Sequence, residues 1–565
     1  MKSKWDGFPI YDRPLGKQTE GTDDGRPVIT ITDFSKCTPS DKVCIRPTMG
    51  CWQVVEYETD EFSGKLLHAK RDAPAADITL KLNVEGWYAV YVWLMGGDVD
   101  LEQHYPGDHD SIYPQTNGPA FKLSKDKGFS GMFRTLFQDQ MMWRGLEACF
   151  WRYEDLTGQD LTIRHQGATV YVGAVQLVPL SPTEVEEIKR DRADKSSKRL
   201  IMKSDTCNDA QMEVRLEHFR NRDIGGWIMG SPGADNPLPQ HLVDTYEMMD
   251  RTAKELGFEW YVCDRPCQWS SYTSIKAKEI ELYNLHPEWH CLDRDGTHTH
   301  VCSYAHPEVQ DHALERVRGI AGAGPDGFGF FFNRDPGLIL FEPVAMKGFE
   351  EKYGVDPCTL SDRDDRLLDW RADILTGFVR RVRKTLDEVA EKKGLKRIKM
   401  VHVVLGSKEA NRFYSLDVET WVKEGLIDIM LPYPWVDYPD RWLAQGFVDI
   451  DVNYFASLVK GTECKLYPMW LTGMWRSGWT NENIRMNEYF TKAIEDYENG
   501  ADGISTWDEM GDQMVFPFKA DRWLRLGHKD KLVEWSEDDF PLPKKLRFTN
   551  YAGVTPDRYP AGTGG

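Results

Sequence analysis

The sequence lacks any apolar run of the roughly eighteen residues that a membrane-spanning helix needs. Its opening segment, residues 1–13, is polar and aromatic, without the apolar stretch of a secretory signal peptide. We therefore expect a cytoplasmic protein that does not contact membranes. If a leader has been removed, the same sequence would belong to a secreted or periplasmic protein.

Metal-binding and cofactor patterns are missing as well. The eleven cysteines include no Cys-x-x-Cys pair. His290, His298 and His300 lie close together, but their spacing matches no standard zinc pattern. We expect mostly reduced, packed thiols, with no metal and no other cofactor.

Several other classes of partner and chemistry are disfavoured. No glycine-rich phosphate turn follows the first predicted strand of the second half, which argues against a Rossmann-type nucleotide site. No Gly-x-Ser-x-Gly segment occurs, so a serine esterase or peptidase is not expected. The net charge of −20 argues against nucleic acid as a partner, because an acidic surface repels it.

Aromatic residues, by contrast, are abundant, with 20 Trp, 23 Tyr and 25 Phe. This tryptophan share exceeds what core packing usually needs, and aromatic rings stack on the C–H faces of sugars. Carbohydrate is therefore the ligand class that the composition favours. The length of 565 residues predicts two or three domains. A homo-oligomer is compatible with the sequence, which does not fix the assembly.

Residues 1–181 predict a β-sandwich. The pattern consists of short β-rich runs separated by turns. The runs are Val28–Thr32, Ala76–Leu82, Gly86–Leu94, Leu161–His165 and Val170–Leu177. The region resembles the ligand-binding β-sandwiches that are appended to polysaccharide-degrading enzymes, which implies a carbohydrate-binding domain. An inert domain packed on its neighbour is the alternative. The charged stretch 182–198 predicts a linker helix, with acidic residues early and basic residues late.

Residues 199–535 alternate β with α, which predicts a (β/α)8 TIM barrel. The strand candidates are Arg199–Asp205, Phe258–Asp264, Gly327–Phe332, Ile398–Val404, Ile427–Leu431, Lys465–Trp470 and Gly503–Trp507. Amphipathic helices are predicted at Leu242–Leu256, Pro307–Ala321, Asp364–Lys392 and Asn483–Asn499. A doubly wound sheet is the alternative fold. Residues 536–565 are expected to form a C-terminal extension.

Six short phrases of this region carry a family resemblance. They are His286-Pro287-Glu288-Trp289, Asp293-Arg294-Asp295-Gly296, Ser303–Val309, Pro325-Asp326-Gly327, Trp421–Asp428 and Leu431-Pro432-Tyr433. Together they resemble uncharacterised glycosyl-hydrolase-like barrel families that are related in fold to amylases and galactosidases. The resemblance covers roughly residues 198–535, and it implies a barrel that cleaves glycosidic bonds.

The chain departs from the family pattern at one position. In those families the strand after Asp-Gly typically ends in an aspartate that would serve as nucleophile. Here Phe331 and Phe332 occupy that place, followed by Asn333, Arg334 and Asp335. Either the carboxylate has moved to Asp335, or the chemistry uses other strands, or the protein binds sugar without cleaving it.

Glycoside hydrolysis needs two carboxyl groups that face one bond, about 5–10 Å apart. Carboxylates that directly follow barrel strands converge on one face of the barrel. Asp508 and Glu509 follow the last predicted strand, and Asp335 follows a middle one. These three are the predicted catalytic residues.

A further set of strand-end side chains is predicted to bind the substrate. The set is Asn333, Arg334, Asp264, Arg265, Asp205, His402, Trp470 and Trp507. Arg334 and Arg265 indicate an acidic or sulfated sugar, because arginine binds carboxylate and sulfate bidentately. Internal ion pairs are the alternative for the aspartates, and a core position is the alternative for His402.

The sequence thus leads to one hypothesis and two rivals. The hypothesis is a glycoside hydrolase that cleaves a poly- or oligosaccharide by paired-carboxylate acid/base catalysis. The first rival is a non-catalytic carbohydrate-binding protein on a barrel scaffold. The second is a structural or assembly component whose domains serve as interfaces.

Overall fold

The computed structural model describes most of the chain. The described residues are 25–70, 73–96, 119–131, 145–167, 170–204, 216–217, 219–231, 239–271, 276–334, 337–434, 450–471, 486–507, 525–532 and 544–550.

The first part of the chain forms two sheets of mainly antiparallel strands. The larger sheet contains β1 (Ile29–Ile31), β2 (Val43–Cys44), β3 (Trp52–Glu58), β4 (Ser63–Ala69), β6 (Trp87–Gly96), β9 (Gly145–Asp155) and β11 (Val170–Pro179). The smaller sheet contains β5 (Ile78–Leu80), β7 (Ala120–Leu123), β8 (Ser130–Gly131) and β10 (Leu161–Arg164). Ile78 and Phe121 of the smaller sheet share one buried apolar cluster with Val92 and Leu177 of the larger sheet. The two sheets therefore bury a common face.

Helix α1 (Pro182–Ala193) follows the sheets. Its first turn carries a capping box, because Ser181 accepts from the Glu184 N–H and the Glu184 side chain reaches back to the Ser181 N–H. The predicted linker helix is present, and it ends five residues earlier than the charge pattern indicated.

Parallel strands then alternate with helices. The strands are β12 (Leu200–Ser204), β13 (Ile224–Gly230), β14 (Glu259–Asp264), β17 (Gly327–Phe330), β18 (Lys399–Leu405), β19 (Ile429–Tyr433), β20 (Lys465–Leu466), β21 (Met469–Leu471) and β22 (Ile504–Trp507). Between β14 and β17, β15 (His290–Leu292) and β16 (His298–Cys302) form a separate antiparallel hairpin.

The helices of this region connect the parallel strands. They are α2 (Gln240–Leu256), α3 (Ala277–Leu285), α4 (Pro307–Gly322), α5 (Pro343–Tyr353), α6 (Asp365–Lys393), α7 (Lys408–Phe413), α8 (Val418–Lys423), α9 (Val452–Val459) and α10 (Met486–Glu498). Within the described ranges, no helix is both long and apolar enough to cross a membrane.

The parallel sheet is curled. Its strand order is β20-β19-β18-β17-β14-β13-β12-β22-β21, so the first strand of the region, β12, pairs with the last, β22. Strands β20 and β21 are separated only by Tyr467 and Pro468. Strand β20 pairs with β19, whereas β21 pairs with β22. The short segment 465–471 therefore pairs with both β19 and β22.

Side chains alternate between the two faces of this sheet, as strand geometry requires. One face supplies a compact cluster from strands all along the sheet, including Ile201, Tyr261 and Leu431. The alternate residues, such as Met202 and Val262, join the large cluster that contains the helices. The first face is thus the inner side of the curl, and the helices cover the outer side.

Strand β13 was not predicted from the sequence, because two glycines interrupt its apolar pattern. A Cβ atom at Gly225 would lie 2.2 Å from the Lys198 carbonyl oxygen, and one at Gly226 would lie 2.7 Å from the Tyr261 ring. Both positions need glycine because the neighbouring chain passes so close. The other predicted strands of this region are all present, with ends that differ by at most two residues, and the predicted strand Lys465–Trp470 is divided into β20 and β21.

The end of the described chain returns to the first sheet. Strand β23 (Lys544–Lys545) pairs with β9, and β24 (Arg547–Asn550) pairs with β3, which brings the larger sheet to nine strands. Residues predicted as an extension therefore complete a sheet that begins near the start of the chain.

A buried charged network joins α1 to the parallel sheet. The His528 Nδ1 atom lies 2.6 Å from an Asp223 carboxylate oxygen, and its Nε2 atom lies 2.6 Å from an Asp191 carboxylate oxygen. Arg525 also donates to Asp191, at 3.0 Å. Burial disfavours the charged imidazole, but the two carboxylates outweigh it and raise the pKa of His528 to about 9.

This network predicts a pH-dependent stability. A histidine whose pKa is higher in the folded than in the unfolded chain stabilises the fold fully below about pH 6.5 and loses that contribution as the pH rises through about 9. We expect His528→Gln to destabilise the protein by about 2–3 kcal/mol at pH 6 and far less at pH 10. Urea unfolding midpoints between pH 6 and pH 10 would measure this. The control is His241→Gln, which changes an exposed histidine of α2, and an equal loss for His528→Gln at both pH values would contradict the prediction.

Candidate active site at the strand ends

The carboxyl ends of the parallel strands bring two predicted site residues, Trp507 and Arg334, to one edge of the sheet together with residues that were not predicted. Tyr433 and Trp507 are the last residues of β19 and β22, and Lys203 is the last but one of β12. Phe331 directly follows β17 and bridges to Val403. Because parallel strands end at the same edge, these side chains meet inside the curl.

Trp507 is the centre of this arrangement. The Lys203 Nζ atom lies 4.0 Å from the centroid of the Trp507 ring, and the Arg334 Cζ atom lies 4.4 Å from it. The rings of Phe331 and Tyr433 meet Trp507 edge-on, with centroid distances of 5.0 Å and 5.2 Å. We refer to Lys203, Phe331, Arg334, Tyr433 and Trp507 as the Trp507 cluster.

The cluster is buried and carries positive charge. Lys203 and Trp507 are both 0% exposed, and Arg334 is half-buried. A cation over an indole ring gains about 0.5–2 kcal/mol, which holds both basic side chains in place. In the described part of the chain, no carboxylate forms an ion pair with Arg334.

Asn333 directly precedes Arg334 and carries a buried side-chain amide. Its side chain is fully buried, and neither its Oδ1 nor its Nδ2 atom has a hydrogen-bond partner among the described residues. Such groups are rare, because an unpaired buried amide costs about 1–3 kcal/mol. A ligand hydroxyl could donate to Oδ1 and accept from Nδ2, whereas a carboxylate could only accept from Nδ2.

Asp264 lies on the other face of the sheet. Its neighbour Cys263 belongs to the inner cluster, whereas the Asp264 carboxylate is fully buried against the helices. It accepts from Lys276 at 2.7 Å and from the Arg316 guanidinium. Arg316 also donates to Glu279. The structure thus realises the internal ion-pair alternative for Asp264 and does not bring it to the Trp507 cluster.

The charge state of Asp264 follows from its two cations. Burial by itself would raise the pKa of this carboxyl group, but Arg316 and Lys276 outweigh burial and hold the pKa below its ordinary value. Asp264 is therefore an ionised structural group between β14, α3 and α4. Arg265, the next residue, is half-buried and follows β14 at the edge where the Trp507 cluster lies.

His402 and Trp470 also lie on the helix side of the sheet. The His402 Nδ1 atom accepts from the Phe330 N–H at 3.0 Å, and the ring packs against Phe332 and Trp421. Burial and, to a lesser extent, Arg383 lower the pKa of His402 to about 3, so the ring is neutral. The Trp470 Nε1 atom donates to Asp496 at 2.8 Å. Both side chains are core residues, and the structure does not bring them to the Trp507 cluster.

The remaining predictions fall outside the described residues. They are the catalytic candidates Asp508, Glu509 and Asp335 and the binding candidate Asp205. Asp508 directly follows Trp507, and Asp335 directly follows Arg334, and both of those neighbours belong to the Trp507 cluster.

Lys203 was not among the candidate site residues predicted from the sequence. It is the only charged residue of strand β12 (Leu200–Ser204), whose first three residues are apolar. Lysine is rarely fully buried. A lysine within a strand that is expected to be buried can therefore be recognised in the sequence as a candidate functional residue.

Comparisons with known proteins do not assign the chain to a family. No protein-family model matches the chain, and no curated protein sequence matches it. A solved structure similar to this chain is the PgaB (BpsB) glycoside hydrolase domain from Bordetella bronchiseptica, with 12% identity and a TM-score of 0.40 over 60% of this chain and 99% of that chain.

Two further solved structures are similar to the chain. α-L-Fucosidase isoenzyme 2 from Paenibacillus thiaminolyticus has 13% identity and a TM-score of 0.38, over 59% of this chain and 50% of that one. The α-galactosidase from Thermus thermophilus has 11% identity and a TM-score of 0.33, over 84% and 94%. These are glycoside hydrolases, but similarity at this level carries no conclusion about activity.

Proposed function

We propose that this chain is a glycoside hydrolase that acts on an anionic poly- or oligosaccharide. The proposed scaffold is a (β/α)8 barrel over residues 199–535, preceded by a β-sandwich over residues 1–181. The pairing of β12 with β22 supports a closed barrel, as does the contact of segment 465–471 with both β19 and β22. The apolar cluster shared by the two N-terminal sheets supports a sandwich.

The observation that carries the proposal is the Trp507 cluster at the carboxyl ends of the parallel strands. Active sites of barrels lie at this edge. The cluster places two cations, Lys203 and Arg334, on one indole ring, and the unpaired amide of Asn333 adjoins it in the chain. Cations and an amide with unmet hydrogen bonds suit a sugar that carries carboxylate or sulfate groups as well as hydroxyls.

The chemistry is assigned to the strand-end carboxyl groups predicted from the sequence. One carboxylic acid would protonate the leaving glycosidic oxygen, and an opposing carboxylate would activate water or attack the sugar. Asp335 on one side and Asp508 or Glu509 on the other are the proposed pair. Their chain neighbours Arg334 and Trp507 are in contact, which supports a pair of acids close to one bound sugar.

Recognition of the anionic group is assigned to Arg334. Its N–H donors can bind a carboxylate or sulfate bidentately while its flat face stays on Trp507. Arg265 is proposed to assist from the end of β14. Trp507 itself is fully buried, so its proposed role is to hold the cations and not to offer an exposed stacking face.

Replacement of Arg334 by methionine tests this recognition. We expect Arg334→Met to lower kcat/KM for the anionic glycan by about 10–100-fold, because a charge-assisted hydrogen bond contributes about 1.5–3 kcal/mol. The kcat/KM for a neutral substrate with the same linkage should change little. Initial rates on both substrates provide the measurement. The control is Arg164→Met, which removes an arginine of β10 from the Phe129 ring and from its ion pair with Asp77, and equal losses on both substrates would contradict the assignment.

The function itself is tested by reducing-sugar release from neutral, uronic and sulfated glycans. The proposal expects release from one anionic class. Tight binding of such a glycan without release would favour the non-catalytic carbohydrate-binding protein. Neither binding nor release across the panel would favour the structural or assembly component.

A further inference from the structure

Two cysteines lie together on the surface of the larger N-terminal sheet. Cys44 ends β2, and Cys51 directly precedes β3. The thiol of Cys44 lies 3.8 Å from the Asp41 carbonyl oxygen, and the thiol of Cys51 lies 3.4 Å from the same oxygen. Both thiols thus contact the same carbonyl oxygen.

This pair differs from the other described cysteines. Of those, seven are buried and only Cys358 is half-buried like Cys44 and Cys51. The turn between the pair is open to solvent, with Ile45 63% exposed and Met49 73% exposed. A dissolved reagent can therefore reach both sulfurs.

We propose that Cys44 and Cys51 form a reversible dithiol–disulfide site that reacts with low-molecular-weight disulfides. The shared contact with Asp41 holds the sulfurs close, and a disulfide needs a sulfur–sulfur distance of about 2.05 Å. The closing movement falls on the turn 45–50, because β2 and β3 fix both of its ends through the pairing of Val43 with Trp52. The site is independent of the proposed glycan chemistry.

The reaction balances by thiol–disulfide exchange. One protein thiolate attacks the small disulfide, breaks its S–S bond, and releases one small thiol while a mixed disulfide forms. The second protein thiolate then attacks the mixed disulfide, forms the Cys44–Cys51 bond and releases the second small thiol. Two protein thiols are oxidised, one small disulfide is reduced to two thiols, and the protons leave with those thiols.

The local charges set the conditions for this reaction. The contact with Cys44 raises the pKa of the Cys51 thiol above its ordinary value, and burial adds a little, whereas Lys42 acts in the opposite direction. Since only the thiolate attacks, exchange is expected to accelerate as the pH rises.

The experiment treats the full chain with oxidised glutathione, blocks free thiols, and maps cysteine peptides by mass spectrometry. Wild type is expected to give a Cys44–Cys51 linked peptide with no glutathionyl group on either residue, and dithiothreitol should restore both thiols. In Cys44→Ser, Cys51 has no partner. Its mixed disulfide with glutathione is therefore expected to persist about tenfold longer or more than in wild type.

The control is Cys358→Ser, which should leave the Cys44–Cys51 bond unchanged. In wild type, Cys358 should carry at most a glutathionyl group, because it is a free cysteine with no disulfide partner among the described residues. Persistent glutathionyl groups on Cys44 or Cys51 in wild type would overturn the proposal. No reaction at either residue would also overturn it.

Discussion

Replacement of Arg316 by methionine is expected to lower the free energy of unfolding by about 3–5 kcal/mol. The Arg316 guanidinium is buried in α4 and contacts the carboxylates of Asp264 and Glu279. Without it, both carboxylates would remain buried with only Lys276 and His312 as partners. A buried charge that loses its partner is far more costly than the ion pair was stabilising. Urea unfolding of the full chain would measure the loss.

Arg318→Met provides the matched control for this prediction. Arg318 lies on the same helix but is exposed, so its replacement should change stability by less than about 0.5 kcal/mol. The double variant Asp264→Asn, Arg316→Met should recover part of the loss, because the asparagine carries no charge to leave unpaired. A loss below about 1 kcal/mol for Arg316→Met would contradict the role of the network.

Amide substitutions at the three proposed catalytic carboxyl groups should have the largest effect on activity. The substitutions are Asp508→Asn, Glu509→Gln and Asp335→Asn. Loss of a catalytic acid or base is expected to lower kcat by about 10²–10⁴-fold, since an amide can neither donate the proton nor accept it. We expect this loss for Asp335 and for one of Asp508 and Glu509, measured as reducing-sugar release. Because each amide has nearly the same shape as the carboxyl group it replaces, the variants are expected to fold like the wild type.

The pattern across the three variants separates the outcomes. Strong losses of activity in two variants would identify the two catalytic carboxyl groups. The unaffected residue of the Asp508–Glu509 pair would then serve as the internal control. Unchanged activity in all three would place the carboxyl groups elsewhere. Glu409 would then be the next candidate, because it is exposed in the first turn of α7, shortly after β18, whereas Asp264 is held in its ion network.

The strands that could be predicted from the sequence were those with continuous apolar runs. Strand β18 (Lys399–Leu405) is one example, and α6 was predicted to within one residue at each end. Strand β13 was missed because Gly225 and Gly226 serve close packing against the neighbouring chain, which no local pattern reveals. The pairing of β23 and β24 with the first sheet was missed because it depends on contacts hundreds of residues apart.

The candidate site was predicted only in part, for a related reason. Strand-end position singled out Arg334 and Trp507, and the structure brings these two side chains into contact, whereas their binding role stays a prediction. It could not tell which face a side chain takes, because strands buried on both sides lack the alternation that separates inner from outer residues. Asp264 and His402 therefore turned out to face the helices.

The return of residues 544–550 to the first sheet has a consequence for biosynthesis. Strand β9 pairs with β23, which leaves the ribosome roughly 400 residues after β9 itself. At about 5–20 residues per second, the backbone groups of Gly145 and Leu146 at the start of β9 wait roughly 20–80 s for their partner. During that interval an unprotected strand edge can pair with another nascent chain. The sheet that starts to form first is thus completed last, and slower synthesis should increase the demand for chaperones.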